Sequence, residues 1–301
     1  MTLRALSLSD FLDRLTPERK PLYGEWLLER MTVLVSGQSG AGKSFFVQSL
    51  ALAIAGQKRL FEWAPRGEVT VGLFDGENDE EEIKERMRAL QTGLEVGHER
   101  VRILSRSTVE EQLGRSVSLS DSLDRAAVLD AFEGCNLLIV DNVNCCFDVT
   151  DENSTKDWGP VQDLVMEARS AGMALMLVHH TPKSNPSSPA GSSKNVRAFD
   201  YSLLLARTDA ARAMGASFSL TVHKSRRRPK DLKAFNAELI EVDGGLKWNV
   251  SDPPEPVAEV DQNARRQSVF KLKAEGKTYP EIEKLTGVSH STAQRWVSQS
   301  S

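Results

Sequence analysis

Lys43 and Ser44 close the octet GQSGAGKS, Gly37 to Ser44, which fits the pattern G-x-x-x-x-G-K-[ST] in full. Glycines at such spacing let the backbone wrap closely enough for its N–H groups to cradle phosphate oxygens. The helix that follows turns its positive end toward them. In a loop of this kind the lysine reaches the β- and γ-phosphates and the hydroxyl binds Mg²⁺. The expected nucleotide contacts are Gly37, Gln38, Ser39, Gly40, Ala41, Gly42, Lys43, Ser44 and Phe45, with ATP and Mg²⁺ as the bound species. A partner for the metal comes from LLIVDN, an apolar strand ending in Asp141, so Ser44 and Asp141 are the expected magnesium pair.

Hydrolysis also needs a base for water. The residue after Asp141 is Asn142, where many ATPases with this loop carry a glutamate. The carboxylate must then come from elsewhere, and LFDGEN supplies Glu77 just past another apolar run. A group at the carboxyl edge of a neighbouring parallel strand can face the γ-phosphate. The competing reading is a solvated acid in a turn that also holds Asp75, Asp79, Glu80, Glu81 and Glu82. LMLVHHTPK ends in His179 and His180, and a polar side chain there can sense the γ-phosphate; His180 is the preferred sensor and His179 the secondary one. A structural histidine is the alternative, and zinc is disfavoured because no third ligand lies nearby.

These groups need a scaffold that brings several strand ends together. MTVLVSG, EVTVGLFDGEN, RVRILS, CNLLIVDNV and MALMLVHHT are predicted strands, and DYSLLLAR, SFSLTVHKSR and the hairpin AELIEVDGGLKWNV follow. Helices are predicted over residues 3–15, along KSFFVQSLALAIAG to Gly56, from Asp79 to Leu90, and around 158–171. Alternation at this spacing predicts an α/β domain with a mostly parallel sheet covered on both faces. Two breaker-rich stretches interrupt it: a loop at 184–193 and an acidic, Pro-rich linker at 251–263. The expected division is therefore an ATPase domain over 1–250, with residues 1–22 as an N-terminal helix or arm, then the linker, then a small domain over 264–301.

The ordered set GQSGAGKS, DGEN, LLIVDN and HHTPK, followed by GSS and an Asp-containing strand, resembles the RecA-like P-loop ATPases of the plasmid RepA-type replicative helicases. The resemblance covers roughly residues 20–250. That family places its catalytic glutamate on the second strand, where Glu77 falls. It is also similar to DnaB-type helicases and KaiC-like ATPases, which work as rings, usually hexamers, with ATP at subunit interfaces. Such a ring implies a cation reaching into the neighbour's site. VHKSRRRPK looks like the K-x-R element of these relatives, which makes Lys224 and Arg226 the candidates, with Arg207 as runner-up. A solvated surface charge is the alternative for each. No primase or second enzymatic domain is evident. The loop with Lys183 and Lys194 is where pore contacts to single-stranded DNA would be expected.

The last segment has a different character. From Ala264 onward seven Lys/Arg stand against three acids, so this tail carries +4 while the whole chain carries −4. A first helix ends at Gly276, Pro280 opens a second, and Ser289 caps a third containing Ala293, Trp296 and Val297. The spacing resembles resolvase- and sigma-like helix-turn-helix domains, so a small all-α unit binding duplex DNA is expected. His290, Ser291, Thr292, Gln294 and Arg295 are the candidate readers, with Lys277 and Lys284 on the phosphate backbone. A three-helix module for protein contact is the alternative.

At 301 residues, 40% hydrophobic and 27% charged, the chain falls in the ordinary globular range. No apolar run approaches the roughly 20 residues a membrane span needs. The N-terminus lacks the pattern of a signal peptide. Cys135, Cys145 and Cys146 have no metal-like spacing, so free thiols in a reducing cytoplasm are expected. The phosphate-loop set and the basic tail predict an ATP-hydrolysing, DNA-associated motor, and the resemblance to RepA-type helicases implies a helicase or replication protein of a plasmid, phage or mobile element working as a homo-hexamer. The alternatives are a KaiC-like or transcription-regulatory ATPase whose nucleotide state gates DNA binding without unwinding, and a DNA-loading or partition protein in which ATP drives assembly alone.

Overall fold

The computed structural model describes residues 4–15, 18–97, 99–149, 157–181, 195–208, 216–227, 229, 231–252, 262–286 and 288–298. They form two compact units, Met1–Ser251 and Asp252–Ser301. In chain order the first holds α1 (Leu8–Asp13), β1 (Pro21–Tyr23), β2 (Leu27–Leu28), β3 (Thr32–Gly37), α2 (Lys43–Ala55), β4 (Val71–Asp75), α3 (Glu80–Leu94) and β5 (Val101–Ser105). There follow α4 (Arg106–Leu113), α5 (Ser122–Ala131), β6 (Leu137–Asp141), α6 (Val143–Cys146), α7 (Gly159–Ser170), β7 (Ala174–His180), β8 (Tyr201–Arg207), β9 (Ser217–Ser225), β10 (Phe235–Val242) and β11 (Gly245–Ser251).

Nine strands make one sheet in the order β11-β10-β9-β8-β3-β7-β6-β4-β5. The strands from β8 to β5 are parallel to one another, and β9, β10 and β11 continue the sheet antiparallel. This is the mostly parallel α/β sheet that the alternation predicts. Burial on both faces explains why β3, β4 and β6 read as unbroken apolar runs. Along β3, Val33 and Val35 enter the core beside α2, while Leu34 enters the core on the opposite face. On β7 the same alternation sends Met176 and Val178 to the first core and Leu175 and Leu177 to the second. α2 is buried nearly all round, which its Leu- and Ala-rich sequence permits, and Gly56 caps its C-terminus. Asp79 caps α3 by accepting from the Glu82 N–H at 2.9 Å, and Glu80, Glu81 and Glu82 lie at the helix's positive end.

Several expectations are adjusted. The helix expected over 3–15 is shorter: Ser7 caps α1, Arg14 is already extended, and no α1 residue is buried. α3 runs on past Leu90 to Leu94 before Glu95 ends it in the left-handed region. The β1–β2 hairpin and helices α4, α5 and α6 are additions that the sequence patterning does not signal. The loop at 184–193, Lys183 and Lys194, and the linker residues 253–261 lie outside the described residues. None of the described helices is long and apolar enough to cross a membrane.

The second unit contains α8 (Gln262–Ala274), α9 (Tyr279–Thr286) and α10 (His290–Ser298). Val269, Ile282, Val288 and Ala293 form its core, with Leu272, Tyr279, Trp296 and Val297 packed around them. Gly276, at φ +84°, turns the chain out of α8, and its N–H donates to the Lys273 carbonyl at 3.0 Å.

Candidate functional site

The carboxyl ends of the parallel strands converge on one place. Gly37 at the end of β3 lies in register with His180 of β7 on one side and Leu205 of β8 on the other. Asp75 at the end of β4 lies beside Asp141 at the end of β6. The glycine loop then turns into α2 through Gly42, which sits at φ +90° as the helix N-cap. A Cβ there would come within 2.6 Å of the Ala216 Cβ, so both backbone and space demand glycine.

Lys43 folds back over this loop. Its Nζ donates to the carbonyls of Gly37 and Gln38, each at 2.9 Å, and lies 3.1 Å from His180 Nδ1. Burial lowers its pKa to about 8, against the pull of Asp141 and Glu77. Burial likewise raises Asp141 to about 7, reinforced by Asp75, while the facing Ser44 hydroxyl and Lys43 oppose the rise. Neither Asp141 oxygen has a well-formed hydrogen bond among the described residues. An unsatisfied buried carboxylate next to a serine hydroxyl fits a hard, oxygen-seeking cation such as Mg²⁺.

Glu77 stands across from Lys43. Its Oε2 accepts from Asn142 Nδ2 and is 3.8 Å from His180 Nε2. His180 is the main cause of its lowered pKa, so Glu77 is a carboxylate at neutral pH. His180 Nε2 also lies 3.2 Å from Asn142 Nδ2, the amide that donates to Glu77, so Asn142 stands between the imidazole and the carboxylate. Together His180 and Asn142 span the gap from the phosphate-loop lysine to the carboxylate. The Glu77 side chain is also 41% exposed, so it meets both these partners and solvent.

The DGEN turn is built by Asp75. Its Oδ1 accepts the backbone N–H groups of Glu77 at 3.1 Å and Asn78 at 2.9 Å, and both of its oxygens take the Asn78 side-chain amide. Ser39, Gly40, Gly42, Lys43, Ser44, Phe45, Glu77 and His180 line a single cavity of about 220 Å³, together with Asn78 and Arg86. Asn78 and Arg86 escape the sequence reading. Arg86 lies on α3 over the Phe45 ring at 5.0 Å, pairs with Glu82 and donates to Asn78 Oδ1 at 3.2 Å. Its i,i+4 spacing to Glu82 is the only sequence signal, and that reads as an ordinary surface pair.

Other expected residues are placed differently. His179 points to the opposite face of β7, edge-on to Trp158 at 5.2 Å, and burial lowers its pKa to about 3. It does not join the cavity, because successive strand side chains alternate. Lys224 and Arg226 lie toward the amino end of β8, since Lys224 pairs with Ser202, while Gly37 pairs with Leu205. Lys224 Nζ donates to the carbonyls of Val196, Arg197 and Phe199 at 2.8, 3.0 and 2.8 Å. Arg226 is 3.6 Å from Asp200 and donates to the Arg197 carbonyl at 2.6 Å. Neither reaches the cavity of its own chain. Arg207 does come near the phosphate loop: its Nη1 lies 3.5 Å from where a Gly40 Cβ would sit.

In the second unit His290, Ser291, Gln294 and Arg295 are exposed on α10 and Lys277 is exposed ahead of α9. Thr292 is half-buried, and its N–H donates to the Ser289 hydroxyl at 3.4 Å, the cap of α10. The side chain of Lys284 lies outside the described residues.

The sequence profile of the AAA domain family matches residues 2–186. The chain belongs to that family. A homeodomain-like domain profile matches residues 262–301 of the same chain. No curated protein matches at significant similarity. Among solved structures this AAA domain protein is similar to the KaiC-like protein PH0186 from the archaeon Pyrococcus horikoshii OT3, at 12% identity and TM-score 0.51, over 74% of this chain and 90% of that one. The flagellar accessory protein FlaH from Methanocaldococcus jannaschii aligns at 11% identity and TM-score 0.49, over 74% and 91% of the two chains. The first likeness concerns the fold, which is the RecA-like α/β arrangement. An AAA domain with the RecA-like fold and a homeodomain-like unit thus occupy one chain.

Proposed function

We propose that this protein hydrolyses ATP and couples the nucleotide cycle to DNA. The observation that carries the reading is that Lys43, His180 and Glu77 line one cavity, with Lys43 Nζ 3.1 Å from His180 Nδ1 and His180 Nε2 3.8 Å from Glu77, in a chain that also has a basic homeodomain-like unit. Lys43 and the glycine loop hold the β- and γ-phosphates, while Ser44 and Asp141 hold Mg²⁺. Held by Ser44 and Asp141, Mg²⁺ would supply charge neutralisation at the phosphate oxygens. Glu77, ionised at neutral pH, accepts the proton of the attacking water. His180 links Glu77 to Lys43, so loss of the γ-phosphate is felt at the end of β7. Arg86 and Arg207 add positive charge at the rim of the same site.

The finer form of this proposal is a ring, a homo-hexamer with ATP at subunit interfaces, acting as a RepA-type helicase or replication protein on single-stranded DNA. A cation that serves a neighbour must lie away from its own cavity, and Arg226 meets that condition. Its level, opposite Thr32, is about 17 Å from Gly37 at ~3.3 Å per strand residue. Lys224, held by three carbonyls, positions the element that presents Arg226. The helix-turn-helix binds duplex DNA through His290, Ser291, Thr292, Gln294 and Arg295, with Lys277 on phosphate.

A forked duplex with one labelled strand tests the motor claim. Displacement that requires ATP and vanishes in Glu77→Gln is expected. ATP hydrolysis stimulated by single-stranded DNA with no displacement leaves an ATPase that is not a helicase. Mixing Lys43→Ala with Arg226→Ala chains tests the shared site, because two defects on different subunits should restore partial activity, and no recovery counts against Arg226.

A further inference from the structure

Asp141 is followed by an amide, and that amide lies inside the site. Asn142 is fully buried. Its Oδ1 accepts the Cys145 N–H at 3.1 Å, which caps α6. A backbone N–H can only donate, so the amide oxygen faces α6 and the NH₂ group faces the opposite way. There Nδ2 donates to Glu77 Oε2 and lies 3.2 Å from His180 Nε2. Both sides of this contact are fixed. The Gly76 N–H donates to the Asp141 carbonyl at 2.7 Å, and a Cβ on Gly76 would collide with Cys146 Sγ, so the turn carrying Glu77 lies directly against α6. Behind α6, the Leu119 N–H donates to the Cys146 carbonyl at 2.8 Å, and Arg106 Nη1 donates to the Cys145 carbonyl at 2.7 Å.

We propose that Asn142 is the positioning residue for Glu77, holding one carboxylate oxygen so that the other can face the attacking water. The inference rests on Glu77 being the base. A half-exposed glutamate turns about three side-chain bonds, and a reacting group misplaced by about 1 Å can lose about a hundredfold in rate. A fully buried donor on a packed helix removes that freedom. The holder must also be neutral. Asp75, Glu77 and Asp141 already crowd this end of the sheet, and a further carboxylate would repel Glu77 rather than hold it. The residue after Asp141 thus serves the base from outside instead of being the base.

Full-length Asn142→Ala and Asn142→Asp, each with Glu77 intact and in the Glu77→Gln background, provide the test. Turnover is read with kcat and KM separated. With Glu77 intact, Asn142→Ala should lower kcat about tenfold with KM for ATP within about twofold of wild type. In Glu77→Gln the same substitution should change the residual single-turnover rate by less than about twofold, because no base is left to position. An equal loss in both backgrounds overturns the proposal, and so does a wild-type kcat in Asn142→Ala. Asn142→Asp keeps the acceptor that caps α6 and loses the donor, which separates positioning from loss of the helix. Its kcat should fall at least as far, and the acidic limb of its pH profile should move to higher pH as the new carboxylate disfavours ionised Glu77. Either a wild-type rate or an unmoved limb in Asn142→Asp overturns the proposal. Glu77→Gln turning over at the wild-type rate would remove the base assignment itself, whereas failure confined to the Asn142 variants leaves that assignment standing.

Discussion

At the scale of single residues, the site is a balance of buried charges. Asp141 is raised to about 7 by burial, from the ordinary 3.8. Since its folded pKa is raised, its contribution to stability is greatest in acid and is lost as pH rises through about 7. Asp141→Asn is therefore expected to raise the melting temperature of the metal-free protein at pH 8 by a few degrees while abolishing Mg²⁺-dependent turnover. A fall in melting temperature in differential scanning calorimetry would contradict this. By the same sign, Mg²⁺·ATP affinity should rise between pH 6 and 8 as Asp141 loses its proton, read by titration calorimetry at the two pH values. Asp75 acts through Glu77, because it holds the N–H groups of the turn that carries it. Asp75→Ala should lower kcat by roughly tenfold with KM for ATP nearly unchanged, the size expected when a base is misplaced. An effect on KM alone would place Asp75 in binding.

At the scale of elements, patterning carried most of the scaffold into view. β3, β4, β6 and β7 are apolar runs that end in Gly37, Asp75, Asp141 and His180, so the site is marked where each run stops. The elements that escaped are those without a period. α4 buries only Val109 and α6 has four residues, too short for a face to repeat. Arg86 escaped because its role depends on α3 packing beside Phe45, a contact that spacing does not encode. His179 and His180 look equivalent in sequence, and the pleat alone separates them. Element ends also give a stability test. Asp79 caps α3, so Asp79→Ala should cost about 0.5–2 kcal/mol in urea unfolding. Gly42→Ala should cost more than the ~1–2 kcal/mol of a left-handed alanine, since its Cβ also meets Ala216, and should abolish nucleotide binding.

At the scale of the whole molecule, charge and fold divide the labour. The tail from Ala264 carries +4 in a chain of −4. Removing residues 264–301 should abolish duplex binding in a gel-shift assay while leaving basal ATP turnover, and binding by the full chain should weaken steeply with added salt. In the proposed cycle Glu77 is the base, in place of a residue next to Asp141. The most direct measurement is steady-state phosphate release by Glu77→Gln, alongside binding of a fluorescent ATP analogue. Binding within about twofold of wild type and hydrolysis reduced by at least about a hundredfold, the scale of a lost general base, are expected. Hydrolysis at the wild-type rate in Glu77→Gln would contradict it.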